Sequence, residues 1–341
     1  MKQTYLITGG AGFIGSHFVD LLLTRHDDQI TVVNLDNLSY AGTRPYPEKN
    51  ATENNYHFIR ADICDIDAVQ EVFARYRPQK VIHFAAETHV DRSILDPGIF
   101  IRTNVMGTQV LLEASRKFGI DLFLQISTDE VYGSANHNDL FTEASPLHPS
   151  SPYSASKAAA DLLVQAYYRT YQLPVIITRC TNNYGPRQFP EKLIPLVITH
   201  ALSGKMIPVY GDGRQRRDWL YVGDHCAAID TIIRSGKIGE VYNIGSNFQI
   251  PNIDIVNTVL AELENQLVQD DNSFTPISRS LITHVEDRKG HDRCYSIDTT
   301  RIRNELGWKP QMSFAQGIRE TVTWYLQNRQ WLEQVKNEVK Q

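Results

Sequence analysis

At 341 residues the chain exceeds the usual single-domain size, which predicts one large or two closely joined domains around a substantial core. Its 34 Lys and Arg against 39 Asp and Glu give a formal net charge of -5, so there is no basic field for a phosphate backbone and nucleic acid is not an expected partner. Cys64, Cys180, Cys226 and Cys294 form no CxxC pair, which argues against a disulfide framework and a zinc site and fits a reducing cytoplasm; no metal is expected.

The N-terminus MKQTYLITGGAGFIG runs from a short apolar stretch straight into glycines, without the apolar core of a signal peptide. No later segment reaches membrane-spanning length, so a soluble protein away from membranes is expected. TYLITGG reads as a strand and FIGSHFVDLLLTRH as the helix after it; ITVVNLD, YHFIRADI, KVIHFAA, LFLQIST and LPVIITRC are further strands. AVQEVFARY, NVMGTQVLLEASRKFG and KAAADLLVQAYYRTYQ are the intervening helices. Short apolar runs alternating with helix-length amphipathic segments are the pattern of parallel βαβ units. Residues 1–182 are therefore expected to form an α/β, doubly wound parallel Rossmann sheet. Residues 183–341 lose that regularity, and NNYGPRQFPEKLIP and PVYGDGRQRRDWLYV are rich in Pro, Gly, Arg and aromatic residues. They predict a smaller C-terminal substrate-binding domain, with some later segments packing back onto the sheet.

TGGAGFIGSH places Gly10, Gly12 and Gly15 in a GxGxxG pattern between strand and helix, and Gly9 adds a GxxGxxG reading. Glycines there permit a tight turn and bring backbone N–H groups to a pyrophosphate at a helix N-terminus. The pattern alone is weak, because turn glycines are common, but Asp36 ends the next strand at the spacing of a ribose-binding acid. An acid there repels a 2′-phosphate, which favours NAD over NADP. Asp62 follows the next strand, where it either faces the adenine or caps the following helix. In SPYSASKAAADLL, Tyr153 and Lys157 share one helical face, and the ammonium is expected to lower the phenol's pKa and make it a usable base. STDEVYG sets Asp129 beside Glu130 after an apolar run. Consecutive strand residues point to opposite faces, so the two carboxyls converge only if the strand has already given way to a turn. The competing reading is a helix-capping Asp followed by an exposed Glu.

TGGAGFIG with Tyr153 and Lys157 resembles the extended short-chain dehydrogenase/reductase superfamily. LDNLSYAG, AAETHVDRS, STDEVYG, SPYSASKAAAD, CTNNYGP, FPEKLIP, VYGDG, RDWLYV, VYNIG and DRKGHDRCYSID narrow the resemblance to its sugar-nucleotide 4,6-dehydratases, from residue 4 to about residue 327. For NAD the resemblance implies Gly9, Gly12, Phe13, Ile14, Gly15, Asp36, Asn37, Leu38 and Ser39, then Asp62, Ile63, Ala85, Ala86, Thr103, Tyr153, Lys157 and Asn183. For the sugar nucleotide it implies Thr88, Thr128, Asn182, Lys192, Leu193, Pro208, Val209, Tyr210, Arg217, Asn252, Arg288 and His291; the arginine forks suit diphosphate oxygens. Arg217 has a plainer alternative as an ion pair with Asp218, and His83 and His89 read as core or supporting groups.

The implied reaction oxidises C4 of dTDP-glucose, with Tyr153 taking the hydroxyl proton beside Lys157 and Thr128. It then eliminates water across C5 and C6, with Glu130 as base and Asp129 as acid, and returns hydride to C6, giving a 4-keto-6-deoxy sugar for deoxysugar biosynthesis of rhamnose or natural-product type. UDP-glucose is the alternative substrate, and Thr181 and Lys289 stand where the family pattern has Ser and Pro, which leaves that preference open. A sugar-nucleotide 4-epimerase would share Tyr153 and Lys157 without needing Asp129 and Glu130, and an NAD-sensing regulator would need neither pair. Apolar residues beyond one stripe on the helices beginning at Asn104 and Ser156 predict a homodimer.

Overall fold

The structure, a computed structural model, describes residues 2–26, 29–39, 42, 50–135, 140–270 and 277–338; Tyr40 and Ala41 of the LDNLSYAG motif lie outside the described residues. The amino-terminal half runs β1 (Gln3–Thr8), α1 (Phe13–His26), β2 (Ile30–Asp36), β3 (Tyr56–Arg60), α2 (Ile66–Tyr76) and β4 (Lys80–His83). It continues with α3 (Val90–Leu95), α4 (Pro97–Phe100), a π-helical stretch (Ile101–Gly107), α5 (Thr108–Phe118), β5 (Leu122–Thr128), a 3-10 turn (Asp129–Tyr132), α6 (Pro152–Tyr171) and β6 (Val175–Cys180). Seven strands pair in parallel in the order β10-β6-β5-β4-β1-β2-β3. The seventh, β10 (Val241–Ile244), comes from beyond residue 182 and lies beside β6.

Both faces of the sheet are covered, which is why its strands read as continuous apolar runs. Along β1, Tyr5 and Ile7 pack with Phe18 and Leu22 of α1 and with Ile229 and Ile232 of α8 (Val222–Ser235). Leu6, between them, faces the opposite layer, with Phe73 of α2, Leu111 of α5 and Val164 of α6. A third core belongs to the later chain. It joins α7 (Leu193–Leu202), α9 (Asn252–Asp270) and α11 (Phe314–Gln327) through Val197, Ile198, Val256, Val259, Val322 and Tyr325. The strands of this region are β7 (Asn182–Tyr184), β9 (Arg216–Tyr221) and β11 (Gln249–Pro251) in one sheet, and β8 (Ile207–Tyr210) with β12 (Ile282–Val285) in another; α12 (Arg329–Glu338) joins it through Leu332, whereas α10 (Thr300–Leu306) returns to the seven-stranded sheet, where Ile302 packs in the first core.

The helix expected over NVMGTQVLLEASRKFG departs from regularity at its start. Its first turns are π-helical, and Asn104 within them is buried and clamps Glu87: its Oδ1 accepts from Glu87 N at 2.8 Å and its Nδ2 donates to Glu87 O at 3.0 Å. Elsewhere the local signals hold. Ser151 and Ser154 form a reciprocal capping box at the start of α6, and Pro152 occupies the first turn, where its missing N–H costs nothing.

Candidate active site

The sheet order reverses between β1 and β4, and a cavity opens at the carboxyl edge of the strands around that point. One end is lined by Gly9, Gly12, Phe13, Ile14, Gly15, Asp36, Asn37, Ser39, Ile63, Ala85, Ala86, Thr103 and Asn183. Gly9 has φ 73°, and a Cβ on it would come within 2.5 Å of Ala85 N; a Cβ on Gly15 would collide with Gly9 O. The loop therefore presents bare backbone at the N-terminus of α1, a fit for a dinucleotide pyrophosphate. Asp36 holds this loop as well as lining the cavity: Oδ2 accepts from Ala11 N at 3.0 Å and Oδ1 from Leu38 N at 2.8 Å.

Two expected cofactor residues stand off the cavity wall. Leu38 adopts φ 53° and contributes its backbone N–H to Asp36. Asp62 does not cap α2, whose cap is Asp65; it accepts from Cys64 N at 2.9 Å and faces Arg102 at 3.7 Å.

The other end holds Thr128, Asp129, Glu130, Tyr153, Lys157, Thr88, Asn182 and Lys192. β5 ends at Thr128, which caps the 3-10 turn by accepting from Glu130 N at 3.2 Å, so both carboxyls sit in a turn and line the same cavity. The capping residue is thus Thr128 rather than Asp129, and Asp129 is buried at 2% exposure, which removes the competing structural reading. The Thr128 hydroxyl reaches Asp129 Oδ1 at 3.3 Å, while Asp129 Oδ2 is buried without a hydrogen-bond partner among the described residues. Burial first, and Glu130 second, push the Asp129 carboxyl well above the ordinary range. Burial also raises Glu130, but Arg217, Arg288 and Lys192 pull it back. The pair is therefore biased toward one protonated and one ionised carboxyl.

Tyr153 differs from the sequence expectation. Its phenol is pushed well above its ordinary value, by burial first and by Glu130 next. The Lys157 ammonium donates to Ile126 O at 2.7 Å, and burial lowers its own pKa. In this environment desolvation outweighs any lowering by the lysine; a hydrogen bond from Thr128 is the lowering influence on the phenol.

The remaining sugar-nucleotide candidates lie off the cavity wall in three groups. Arg288 Nε meets Asp91 Oδ1 at 2.6 Å and its guanidinium stacks 5.0 Å from the Tyr210 ring, whose hydroxyl donates to Asp91 at 3.1 Å; His291 is edge-on to the same ring and pairs with Asp287. Arg217 is buried, donates to Asp292 O at 2.9 Å and lies 4.1 Å over the Tyr295 ring. Its alternative as an Arg217–Asp218 pair is overturned, because Asp218 accepts from Ser246 and from the N–H groups of Asn247 and Phe248. Leu193 packs against the third core, and Pro208 and Asn252 stand at β8 and at the start of α9. His83 is a core group between Thr8 Oγ1 at 2.6 Å and Thr108 Oγ1 at 3.1 Å, with its pKa lowered to about 3 by burial. His89 caps α3.

Three residues were missed by motif reading. Glu87 and Glu191 line the cavity, and the Tyr295 hydroxyl lies 3.4 Å from Glu130 Oε2. Each sits inside a segment already singled out, AAETHVDRS, FPEKLIP or DRKGHDRCYSID, and a lone acid or tyrosine there carries no spacing signal of its own.

A doubly wound sheet with a glycine loop, Asp36 and a Tyr153/Lys157 pair at one cavity defines an extended short-chain dehydrogenase/reductase. The chain belongs to the GDP-mannose 4,6 dehydratase family, whose model matches residues 6–321. It is 51% identical over 97% of its length to the dTDP-glucose 4,6-dehydratase of Shigella flexneri, of which 95% is covered, and 51% identical over 96% to that of Neisseria gonorrhoeae, of which 97% is covered. The crystal structure of DesIV, a dTDP-glucose 4,6-dehydratase from Streptomyces venezuelae with NAD and TYD bound, superposes with a TM-score of 0.90 at 44% identity, covering 98% of this chain and all of that one.

Proposed function

We propose that the protein is a hydro-lyase that converts dTDP-glucose into dTDP-4-keto-6-deoxyglucose with bound NAD. The observation that carries this reading is the convergence of Asp129 and Glu130 beside Tyr153 in one cavity. NAD supplies, when bound, the acceptor for the C4 hydrogen and the donor of the hydrogen returned at C6. Tyr153 takes the 4-hydroxyl proton in its ionised form, which burial makes scarce and the hydrogen bond from Thr128 favours. The resulting ketone makes the C5 hydrogen acidic, which a simple alcohol could not. Glu130, the carboxyl more strongly pulled down by cations, removes that proton and gives a proton back to C5 as hydrogen arrives at C6. Asp129, held high by burial and by its charged neighbour, delivers a proton to the departing 6-hydroxyl. Incubation with dTDP-glucose is expected to yield the alkali-induced absorbance of a 4-keto-6-deoxy product. Interconversion with the galactose form would support a 4-epimerase instead, and parallel kinetics with UDP-glucose decide the base preference.

The same reading includes a homodimer and a cytoplasmic setting. Exposed apolar side chains cluster by element: Leu95, Ile99 and Met106 on α3, α4 and the π-helical stretch, and Leu162 on α6, which packs against all three. All four cysteines are free, as a reducing compartment would leave them. Among the described residues no helix is long and apolar enough to cross a membrane.

A further inference from the structure

Glu87 is a buried carboxyl that the proposed chemistry leaves unused. It is 7% exposed and lines the cavity, and its Oε2 is buried with no hydrogen-bond partner among the described residues. The backbone on either side of that carboxyl is fixed, because the Asn104 side chain takes both the Glu87 N–H and its carbonyl; Asn104 in turn donates to Ser156 Oγ at 2.8 Å. A carboxyl oxygen without a donor in a buried site is costly, so such a group is retained where a ligand brings the missing N–H or O–H.

Its position says which ligand. The segment leaves the glycine loop at Ala85, beside Gly9, and by Thr88 it has reached Lys192, whose ammonium donates to Thr88 O at 3.2 Å and whose charge acts on both Glu87 and Glu130; Glu87 thus stands on the way to the Glu130 end of the cavity. Lys192 is engaged there with Thr88 and faces Glu191 at 3.9 Å, leaving the Glu87 oxygen unpaired. In a glucose ester the C1 oxygen is committed to the diphosphate, the C4 hydroxyl to Tyr153 and the C6 hydroxyl to Asp129. The hydroxyls left to be recognised are those at C2 and C3.

Resting on the reaction proposed above, we infer that Glu87 accepts a hydrogen bond from the C2 or C3 hydroxyl of the hexose and holds the ring in register for C4 and C5. Burial raises its carboxyl pKa, with Arg92 and Lys192 opposing that rise and Asp96 adding to it; protonated or ionised, the carboxyl keeps an oxygen that can accept from a hydroxyl. It is a positioning and specificity residue; no bond to it forms or breaks.

The test is a cycle between protein and substrate. Glu87→Ala and Glu87→Gln are compared with wild type on dTDP-glucose and on its 2-deoxy and 3-deoxy analogues, with Kd by calorimetry, kcat and KM by turnover, and NAD content of the purified protein. Loss of a partner for a buried polar group is worth roughly 5- to 100-fold, so Glu87→Ala should weaken dTDP-glucose binding by that factor and Glu87→Gln by less, with NAD content unchanged. One deoxy analogue should bind wild type equally weakly and lose nothing further in Glu87→Ala. Full analogue discrimination persisting in Glu87→Ala, unchanged affinity for dTDP-glucose, or loss of NAD in place of sugar affinity would each overturn the assignment. Because Kd is read apart from turnover, absence of dehydration by wild type would sink the proposed reaction while the cycle still decides Glu87.

Discussion

At the scale of single residues, the proposed acid–base pair rests on unequal environments for two adjacent carboxyls. Asp129 is sealed, with one oxygen unpartnered, whereas Glu130 is partly open and lies in the field of three cations. The two substitutions should therefore fail differently. In Asp129→Asn the base survives, so exchange of the C5 hydrogen with D2O persists while dehydration falls roughly 100- to 10,000-fold; in Glu130→Gln exchange and product fall together. NMR at C5 after reaction in D2O separates the two, and near-normal dehydration in both variants would leave STDEVYG a structural turn. The same burial has a stability consequence. Folding raises the Asp129 pKa, so its carboxyl costs nothing below the ordinary carboxylate range and an increasing amount above it. Asp129→Asn should then be more stable than wild type at pH 8, with the difference shrinking toward pH 4. Thermal unfolding at the two pH values measures it, and an equal effect at both would rule out a titration origin.

At the scale of elements, two helix starts set the site. α6 begins one residue before Tyr153, and the Ser151/Ser154 box fixes where its first turn lies; Lys157 follows one turn later. Ser151→Ala leaves an orphan N–H at that start and should cost about 1 kcal/mol. A fall of about 1 to 2 °C in Tm should show it, and an unchanged Tm would mean the capping box is not holding the helix. The π-helical start of the neighbouring helix has a matching role. It carries Asn104 against Glu87 and Ser156, linking the strand-end loop after β4 to α6. A sequence period of 3.6 gives the helix but not this widened turn.

Across the whole molecule, the cavity is completed by the later chain. Asp91, in the first turn of α3, meets Arg288 and Tyr210, and Lys192 meets Thr88, so groups expected to hold the nucleotide tie one region to the other. The proposed reaction returns its hydrogen and so gains nothing by releasing the cofactor, and Asp36 lines the cavity beside the glycine loop. NAD is expected to copurify, and stripped enzyme should regain activity with NAD and not with NADP; equal rescue by NADP would overturn the role of Asp36. Light scattering at micromolar concentration should give the mass of a dimer, and a monomer mass would refute burial of Leu95, Met106 and Leu162 against a second copy.

Much of the fold could be read from the sequence, because parallel strands buried on both faces must be apolar throughout and their helices must be amphipathic. The glycine loop and Asp36 were legible for a similar reason: backbone strain and charge at a pyrophosphate admit few residue types. The convergence of Asp129 and Glu130 could be posed from sequence but not decided, since it depends on β5 ending at Thr128. Tertiary structure alone decided the protonation bias of Tyr153, where desolvation outweighed the lysine, and the partners of Arg217, whose neighbour Asp218 turned to a loop 28 residues away. It also decided the place of Glu87. Local pattern fixes what a residue prefers next to its sequence neighbours, whereas burial and unpaired oxygens arise between segments far apart in the chain, where no local period records them.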